Sequence, residues 1–360
     1  MPPAGNKPRL QQGRCPGPAC ETVHTSAVHI RLVVNPAASS TTPERRTSVE
    51  AALGEHHRLS VVETRGRDDA TALAADALTD GVDAVAVLGG DGTVNEVANA
   101  LVGTRVPLIA LPGGGTNVFC RTLGLPDDPS AAARLLLPGD GHVELRRIGV
   151  GTIEGSGLAG RDHRHFCFHT GIGWDAALVA VVERHARHKR RYGHALFVYA
   201  GLHTFFGGYD RRRPHFLVEL DDGTLVHDAY FALVMNSDPY TFVGHRPFVI
   251  DPTNSADDPF TVVVLRSMRV RHFLAIMFRA LRGKGLGESR TLVMRREVAS
   301  VTARRTTSLP YQVDGDHLGD AAELHLAYRP DALSVVVARF DADPRPRRRL
   351  ARRVRVAQPR

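Results

Sequence analysis

The feature that most constrains this chain is a glycine turn, Leu88-Gly89-Gly90-Asp91-Gly92-Thr93-Val94-Asn95-Glu96, set between an apolar run and a helical one. Asp83–Leu88 reads as a buried strand, and Thr93–Val102 as the helix that follows it. Glycines at such a junction let backbone N–H groups approach a polyanion closely, and the helix N-terminus adds the positive end of its dipole. No Gly-Lys-Ser/Thr follows, so the turn is not a Walker A loop. A carboxylate between the glycines is poor economy in a plain tight turn; Asp91 suits a residue that holds Mg²⁺ or organises the site around it. Thr93 is placed to cap the helix or to donate to a phosphate oxygen.

The surrounding sequence repeats the same unit. His29–Val34, Leu59–Glu63 and Val106–Leu111 read as further strands, and Pro43–Glu55, Asp69–Leu78 and Ser130–Leu137 as helices. This alternation predicts βαβ units around a parallel sheet. In an open α/β sheet, ligands bind beyond the carboxyl ends of the strands. Three more turns fall there: Asn35, Pro36, Ala37, Ala38 and Ser39 after the first strand, Thr64 after the second, and Gly113, Gly114, Gly115, Thr116 and Asn117 after the fourth. Each alone is an ordinary loop. Together they predict one nucleotide site.

After about residue 141 the rhythm changes to short strand-like runs, at His142–Val150, His165–His169, His215–Leu220, Ala229–Met235, Phe260–Leu265, Thr291–Ala303, Tyr311–Val313, Glu323–Tyr328 and Leu333–Phe340. Only Asp175–Phe206, broken near Arg191–Gly193, and Val270–Arg282 read as helical. A mainly antiparallel second domain, a sandwich or barrel, is expected. The expected division is a disordered leader at 1–27, an α/β nucleotide-binding domain at 28–141, a β-rich domain at 142–340 whose last strand can return to the first, and a basic tail at 341–360.

The formal net charge of +8 favours anionic partners. Its basic clusters, Arg184–Arg191, Arg211–Arg213 and the Arg-rich tail, suit an anionic membrane surface. No recognition motif accompanies them, so no nucleic-acid partner is expected. Four cysteines without metal-ligand pairs or a disulfide framework fit a reducing cytoplasm. The N-terminus has no apolar signal-peptide core, and no apolar run is long enough to predict a spanning helix. His163, His165, Cys167 and His169 alternate, but read as loop histidines beside a core cysteine. Asp314-Gly315 taken alone reads as a hairpin turn.

The ordered segments VNPAAS, LGGDGTVNEV, LPGGGTNVFCRTLGLP, Gly171-Ile172-Gly173-Trp174-Asp175-Ala176 and Val313-Asp314-Gly315-Asp316 resemble the diacylglycerol kinase catalytic family, which includes bacterial lipid kinases, sphingosine kinases and ceramide kinases. The resemblance covers about residues 28 to 340. It implies an ATP-binding α/β domain, a β-rich lipid-binding domain, and ATP with Mg²⁺ in the cleft. Asn35 to Ser39, Thr64 and Gly90 to Glu96 (Asp91, Gly92, Thr93, Val94 and Asn95 among them) would line the nucleotide, with Gly114, Gly115, Thr116 and Asn117 near the phosphates. Asp91 would serve the catalytic Mg²⁺. Asp314 would accept the acceptor's proton and Asp316 would hold the network. Ser255, Asp258 and Phe260 fall where relatives bind a structural Mg²⁺.

The implied activity is transfer of the γ-phosphate of ATP to a lipid hydroxyl, with diacylglycerol, giving phosphatidic acid, as first choice. Sphingoid bases, ceramide and other lipid alcohols remain alternatives, followed by NAD kinase, which shares the glycine turn, and an inactive lipid-binding homologue. The expected location is cytoplasmic, at the inner face of the membrane, and a homodimer is left open. Ala195–Phe206 and Phe273–Leu281 are candidates for an acyl-chain pocket. The chain departs from the family pattern with Asp316 for the usual Glu, with Gly115 for a phosphate-contacting Thr or Ser, with Val118 for an acidic residue, and with Pro259 for a glycine beside the structural-metal loop.

Overall fold

The computed structural model describes residues 27–137, 143–155, 158, 163–185, 199–213 and 215–339. The expected leader and basic tail, and most of the basic run at 184–191, lie outside the described residues. The first body alternates strand and helix: β1 (His29–Val34), α1 (Pro43–Gly54), β2 (Arg58–Glu63), α2 (Asp69–Thr79), β3 (Ala84–Gly89), α3 (Asp91–Leu101), β4 (Leu108–Pro112), α4 (Val118–Thr122) and α5 (Pro129–Arg134). β1 pairs in parallel with β2 and β3, and β3 in parallel with β4. Every residue of β3 is buried, as expected of a central parallel strand covered on both faces.

Local chemistry sets these elements. Thr42 and Asp128 cap α1 and α5 by accepting from Arg45 N and Ala131 N, and each cap is followed by a proline, whose missing N–H costs nothing there. α2 buries Ala70, Ala74 and Ala77, and α3 buries Val94, Val97, Ala98 and Leu101, the spacing of one helical face.

The second body follows as β5 (Val143–Gly155), β6 (His163–Phe166), β7 (His169–Gly173), α6 (Trp174–Arg184), a π-helical turn (Thr204–Gly208), β8 (Phe216–Leu220), β9 (Leu225–Ala229), β10 (Phe231–Met235), β11 (Thr241–Val243), β12 (Arg246–Phe248), β13 (Phe260–Leu265), α7 (Val270–Leu281), β14 (Leu292–Val298), β15 (Ser300–Val313) and β16 (Asp316–Ala338). Its strands pair antiparallel, in the order β14-β13-β10-β7-β15-β16, and the path continues through β4-β3-β1-β2. The fold is therefore a parallel α/β body joined to a β-rich one.

β16 is the joint. It pairs antiparallel with β15 and β5, and in parallel with β4 at Val335 opposite Leu108. Its end carries Leu333, Val335 and Val337 into the apolar core that holds Val85, Val87 and Leu108. The two bodies thus share one continuous strand.

Several boundaries differ from expectation. The segment 165–169 is not one strand: the chain turns at Cys167-Phe168 between β6 and β7. The segments 323–328 and 333–340 are one strand with a register shift between Arg329 and Leu333, where Pro330 lacks a ladder donor and Asp331 takes a φ of 48°. The short helix α4 carries no apolar periodicity and was not expected. β9, β11 and β12 were also missed, being short and partly polar.

Leu88 is fully buried in β3, directly behind the glycine turn. Leu88→Ala should cost about 2–5 kcal/mol. In denaturant titration this should appear as a lowered midpoint with an unchanged slope.

Candidate active site

Three loops meet at the carboxyl ends of β1, β3 and β4. Asn35 N donates to Leu88 O at 2.9 Å, Ser40 N to Gly113 O at 2.8 Å, and Gly113 N to Gly89 O at 2.8 Å. Two glycines are required by this closeness. A Cβ on Gly114 would lie 2.7 Å from Gly90 Cα, and one on Gly113 would lie 2.5 Å from Thr41 Oγ1 and 2.8 Å from Gly89 N. Ser39 Oγ faces Gly115 across the same gap. The segment Pro36–Ser39 therefore lies beside the two glycine turns, as the sequence reading expected.

α3 begins at Asp91, two residues earlier than expected. Gly90 is its N-cap, with extended backbone (φ −86°, ψ 177°) and no side-chain cap. Glycine needs no side chain to reach that conformation, and Thr93 is left inside the first turn, where its hydroxyl accepts from Asn35 Nδ2 at 2.8 Å. First-turn amides of a helix have no intrahelical acceptor. Here they open between glycine loops, the arrangement that binds phosphate.

Several residues expected on the nucleotide have other tasks. The Asp91 carboxylate accepts from Val118 N and Phe119 N, each at 3.0 Å, so it caps α4 and ties that helix to α3. Asn117, at φ 50°, braces its own loop: Oδ1 accepts from Gly114 N, and Nδ2 donates to Gly114 O and Asp127 Oδ1. Val94 is in the core. Glu96 accepts from Ala70 N and so serves the start of α2. Asn95 is buried and points to the second body. These three cannot line a nucleotide, because a helix turns successive side chains to different faces and only its first turn meets the crevice. Thr64 is buried, with its amide donating to Val34 O.

The two late acids exchange the roles expected of them. Asp314, 3% exposed, sits at φ 48° with both oxygens occupied. Oδ1 accepts from Phe168 N and His169 N, and Oδ2 from Cys167 N and Asn95 Nδ2, at 2.7 to 3.0 Å. Burial pushes its pKa up to about 6, while these four donors pull it down. Such a carboxylate is a clamp and has no lone pair aimed at a substrate. Asp316 is the open one, with its side chain 29% exposed. A Cβ on Gly92 would lie 3.0 Å from Asp316 Oδ2, so this acid lies directly against the first turn of α3.

Three residues that sequence reasoning missed, or did not connect, hold this arrangement. Arg164 is buried on β6; its guanidinium donates twice to Asn95 Oδ1 and lies 3.7 Å from Asp316 Oδ2. Gln312 Oε1 accepts from Gly315 N, inside the acidic turn. Gln312 Nε2 donates to Asp175, which also accepts from the Tyr240 hydroxyl. A Cβ on Gly171 would stand 1.8 Å from Asp175 Oδ2, which explains the glycine before Trp174-Asp175. The glutamine between Tyr311 and Val313 was the available signal; Arg164 stands between two histidines and gave none.

The residues expected at a structural metal form a turn that leads into β13. Ser255 O accepts from Asp258 N and Ser255 Oγ from Asp257 N, while Phe260 is fully buried in β13. Among the described residues no three His, Cys, Asp or Glu side chains gather for a metal. A Mg²⁺ arriving with a polyphosphate keeps waters and phosphate oxygens as ligands, and the open Asp316 carboxylate beside the first turn of α3 would face it through one of those waters.

Comparison with known proteins places this geometry. The diacylglycerol kinase catalytic domain matches residues 29–148, and the YegS C-terminal NAD kinase beta sandwich-like domain matches residues 170–337. A diacylglycerol kinase of Mycobacterium tuberculosis is 41% identical over 115 residues, 30% of this chain and 36% of that protein. A YegS-like protein of Chromohalobacter salexigens is 38% identical over 119 residues, 32% of this chain and 37% of its own. The match thus spans little more than a third of these relatives' length. A solved chain from Bacillus anthracis superposes with a TM-score of 0.67 at 23% identity, covering 88% of this chain and all of that one. A structure described as a diacylglycerol kinase from the same organism gives a TM-score of 0.62 at 20% identity, covering 88% and 98%. Both share the fold.

Two predictions follow from the clamp and its neighbours. Asp314→Asn would turn an amide N–H₂ toward existing donors, and should destabilise the chain by about 1–3 kcal/mol. Equilibrium unfolding measures this, and an unchanged midpoint would contradict the assignment. His169, held neutral by burial, has its pKa pushed down to about 3. The unfolded chain takes up this proton below about pH 6.5 and the folded chain does not, so stability is lost as pH falls from there. His169→Gln should flatten the fall in unfolding midpoint between about pH 6.5 and 5.

Proposed function

We propose that this chain, which belongs to the diacylglycerol kinase catalytic-domain family, is an ATP-dependent lipid kinase that moves the γ-phosphate of MgATP onto a lipid hydroxyl. Diacylglycerol is the first candidate acceptor, with phosphatidic acid as product. Sphingoid bases, ceramide and other long-chain alcohols are the alternatives. The observation that carries the reading is the open carboxylate of Asp316 against the uncapped, glycine-lined first turn of α3.

The first-turn amides of α3 and the loops at 35–41 and 112–117 hold the phosphates. The acceptor hydroxyl lies between the γ-phosphorus and Asp316. Asp316 takes the hydroxyl proton as the oxygen attacks, the bond to the β,γ-bridging oxygen breaks, and ADP leaves. Mg²⁺, when bound with ATP, would supply neutralisation of the phosphate charge. Arg164, 3.7 Å away, orients Asp316. Asp314, Asn95, Gln312 and Asp175 position the acidic turn. Phosphoryl transfer needs placement and charge neutralisation above all, and this arrangement supplies both. Asp91 contributes by fixing α4 and its glycine loop to α3.

No helix among the described residues is long and apolar enough to cross a membrane. On this reading the acceptor would be met at the bilayer surface.

General base catalysis is typically worth 10²–10⁴ in rate, so Asp316→Asn should raise the barrier by about 3–5 kcal/mol while leaving unfolding unchanged. The check is labelled phosphate transfer from ATP to a panel of lipids, with NAD as a parallel acceptor. Near-wild-type turnover by the variant removes Asp316 as the base. Phosphate transfer to NAD and to none of the lipids overturns the lipid-kinase reading.

A further inference from the structure

The apolar stretches once read as an acyl-chain pocket turn part of their surface outward. α7 packs Phe273, Ile276, Met277 and Ala280 against the second body. The stripe beside that packed face, about a quarter-turn round the helix, carries Val270, Leu274, Phe278 and Leu281, with Leu274 59% and Phe278 57% exposed. A helix of a globular domain normally turns polar residues to solvent, and an exposed apolar stripe of this length marks an interaction surface. The stripe continues onto a neighbouring segment. Phe273 lies 4.5 Å, ring to ring, from Phe205, and beside Phe205 the exposed Leu202 and Phe206 extend the patch.

The charge along α7 and its flanks is of one sign. Between Arg266 and Gly287 there are Arg269, Arg271, Arg279, Arg282 and Lys284, and no Asp or Glu. Arg282 lies over the Phe278 ring at 4.4 Å, and Arg211 over the Phe206 ring at 5.4 Å, so cations border the exposed rings directly. A helix with one apolar face and a basic rim is the chemistry that lies in the interface of an anionic bilayer: apolar side chains enter the acyl boundary and the arginines meet lipid phosphates.

We propose that the outer face of α7, together with residues 202–206, is a docking surface for a bilayer containing anionic lipids. The proposal rests on the lipid-kinase reading for its purpose but not for its physics. The surface is also tied to the site. Phe273 packs on Trp174 at 4.9 Å between ring centres, and Trp174 precedes the Asp175 that braces the acidic turn through Gln312. Docking through α7 would bring a lipid acceptor to the body that carries Asp316.

The test is sedimentation of the full chain with phosphatidylcholine vesicles, with and without phosphatidylglycerol, using Leu274→Glu/Phe278→Glu and Arg271→Gln/Arg282→Gln. All four side chains are exposed, and thermal melting checks each fold. The first pair should weaken binding to phosphatidylglycerol vesicles about tenfold or more, and the second should remove the preference for them. Both should retain phosphate transfer to a monodisperse short-chain diacylglycerol. Wild-type binding by both variants overturns the docking surface. So does a wild-type dimer that the first pair dissociates, in sedimentation velocity, with vesicle binding unchanged. If the wild type phosphorylates no lipid but the variants lose vesicle binding, the kinase reading fails and the docking surface stands.

Discussion

The structure depends on one buried carboxylate. Asp314 gathers three consecutive backbone amides, Cys167 to His169, from the turn between β6 and β7, and accepts a fourth hydrogen bond from Asn95 on α3. A buried carboxylate is tolerable only when its lone pairs are filled. Filling them here requires the turn of one body, the helix of the other and the hairpin between β15 and β16 to be in place together. The helix that offers its N-terminus to a phosphate and the hairpin that offers Asp316 are thereby held at a fixed separation.

The remaining features serve the same geometry. Asn95 is itself held by Arg164, whose guanidinium also faces Asp316. Gln312 fixes Gly315 and is fixed in turn by Asp175, which Tyr240 holds from its other oxygen. On the other side, Asp91 fastens α4 to α3, and the close approach of Gly90 and Gly114 excludes any side chain between the loops. Preorganisation of this kind moves the cost of ordering donors and acids from the reaction to folding.

Much of this was legible in the sequence. The strand and helix alternation to residue 137, the change to β-rich structure beyond it, and the convergence of the glycine turns followed from periodicity and turn chemistry. The apportioning of roles did not. Asp314 and Asp316 are two residues apart on a hairpin, and only the tertiary fold decides which one is buried beneath amides and which faces the crevice. Likewise, Val94, Asn95 and Glu96 follow the glycine turn without break, yet the helical period sends them to the core, to the second body and to α2. Arg164 was hidden among histidines, and its partners lie on other strands and helices, beyond the reach of local spacing. The exposed stripe on α7 could not be told from a core-facing one, because Phe273 and Phe278 look alike until packing assigns one of them inward.

The most direct test of this account is a crystal structure of the chain with Mg²⁺ and a non-hydrolysable ATP analogue. The account predicts the γ-phosphate at the first-turn amides of α3, with Asp316 the nearest carboxylate and Asp314 still enclosed by its four donors. A γ-phosphate bound away from α3, or an Asp314 side chain turned out of its cage to meet it, would contradict the account.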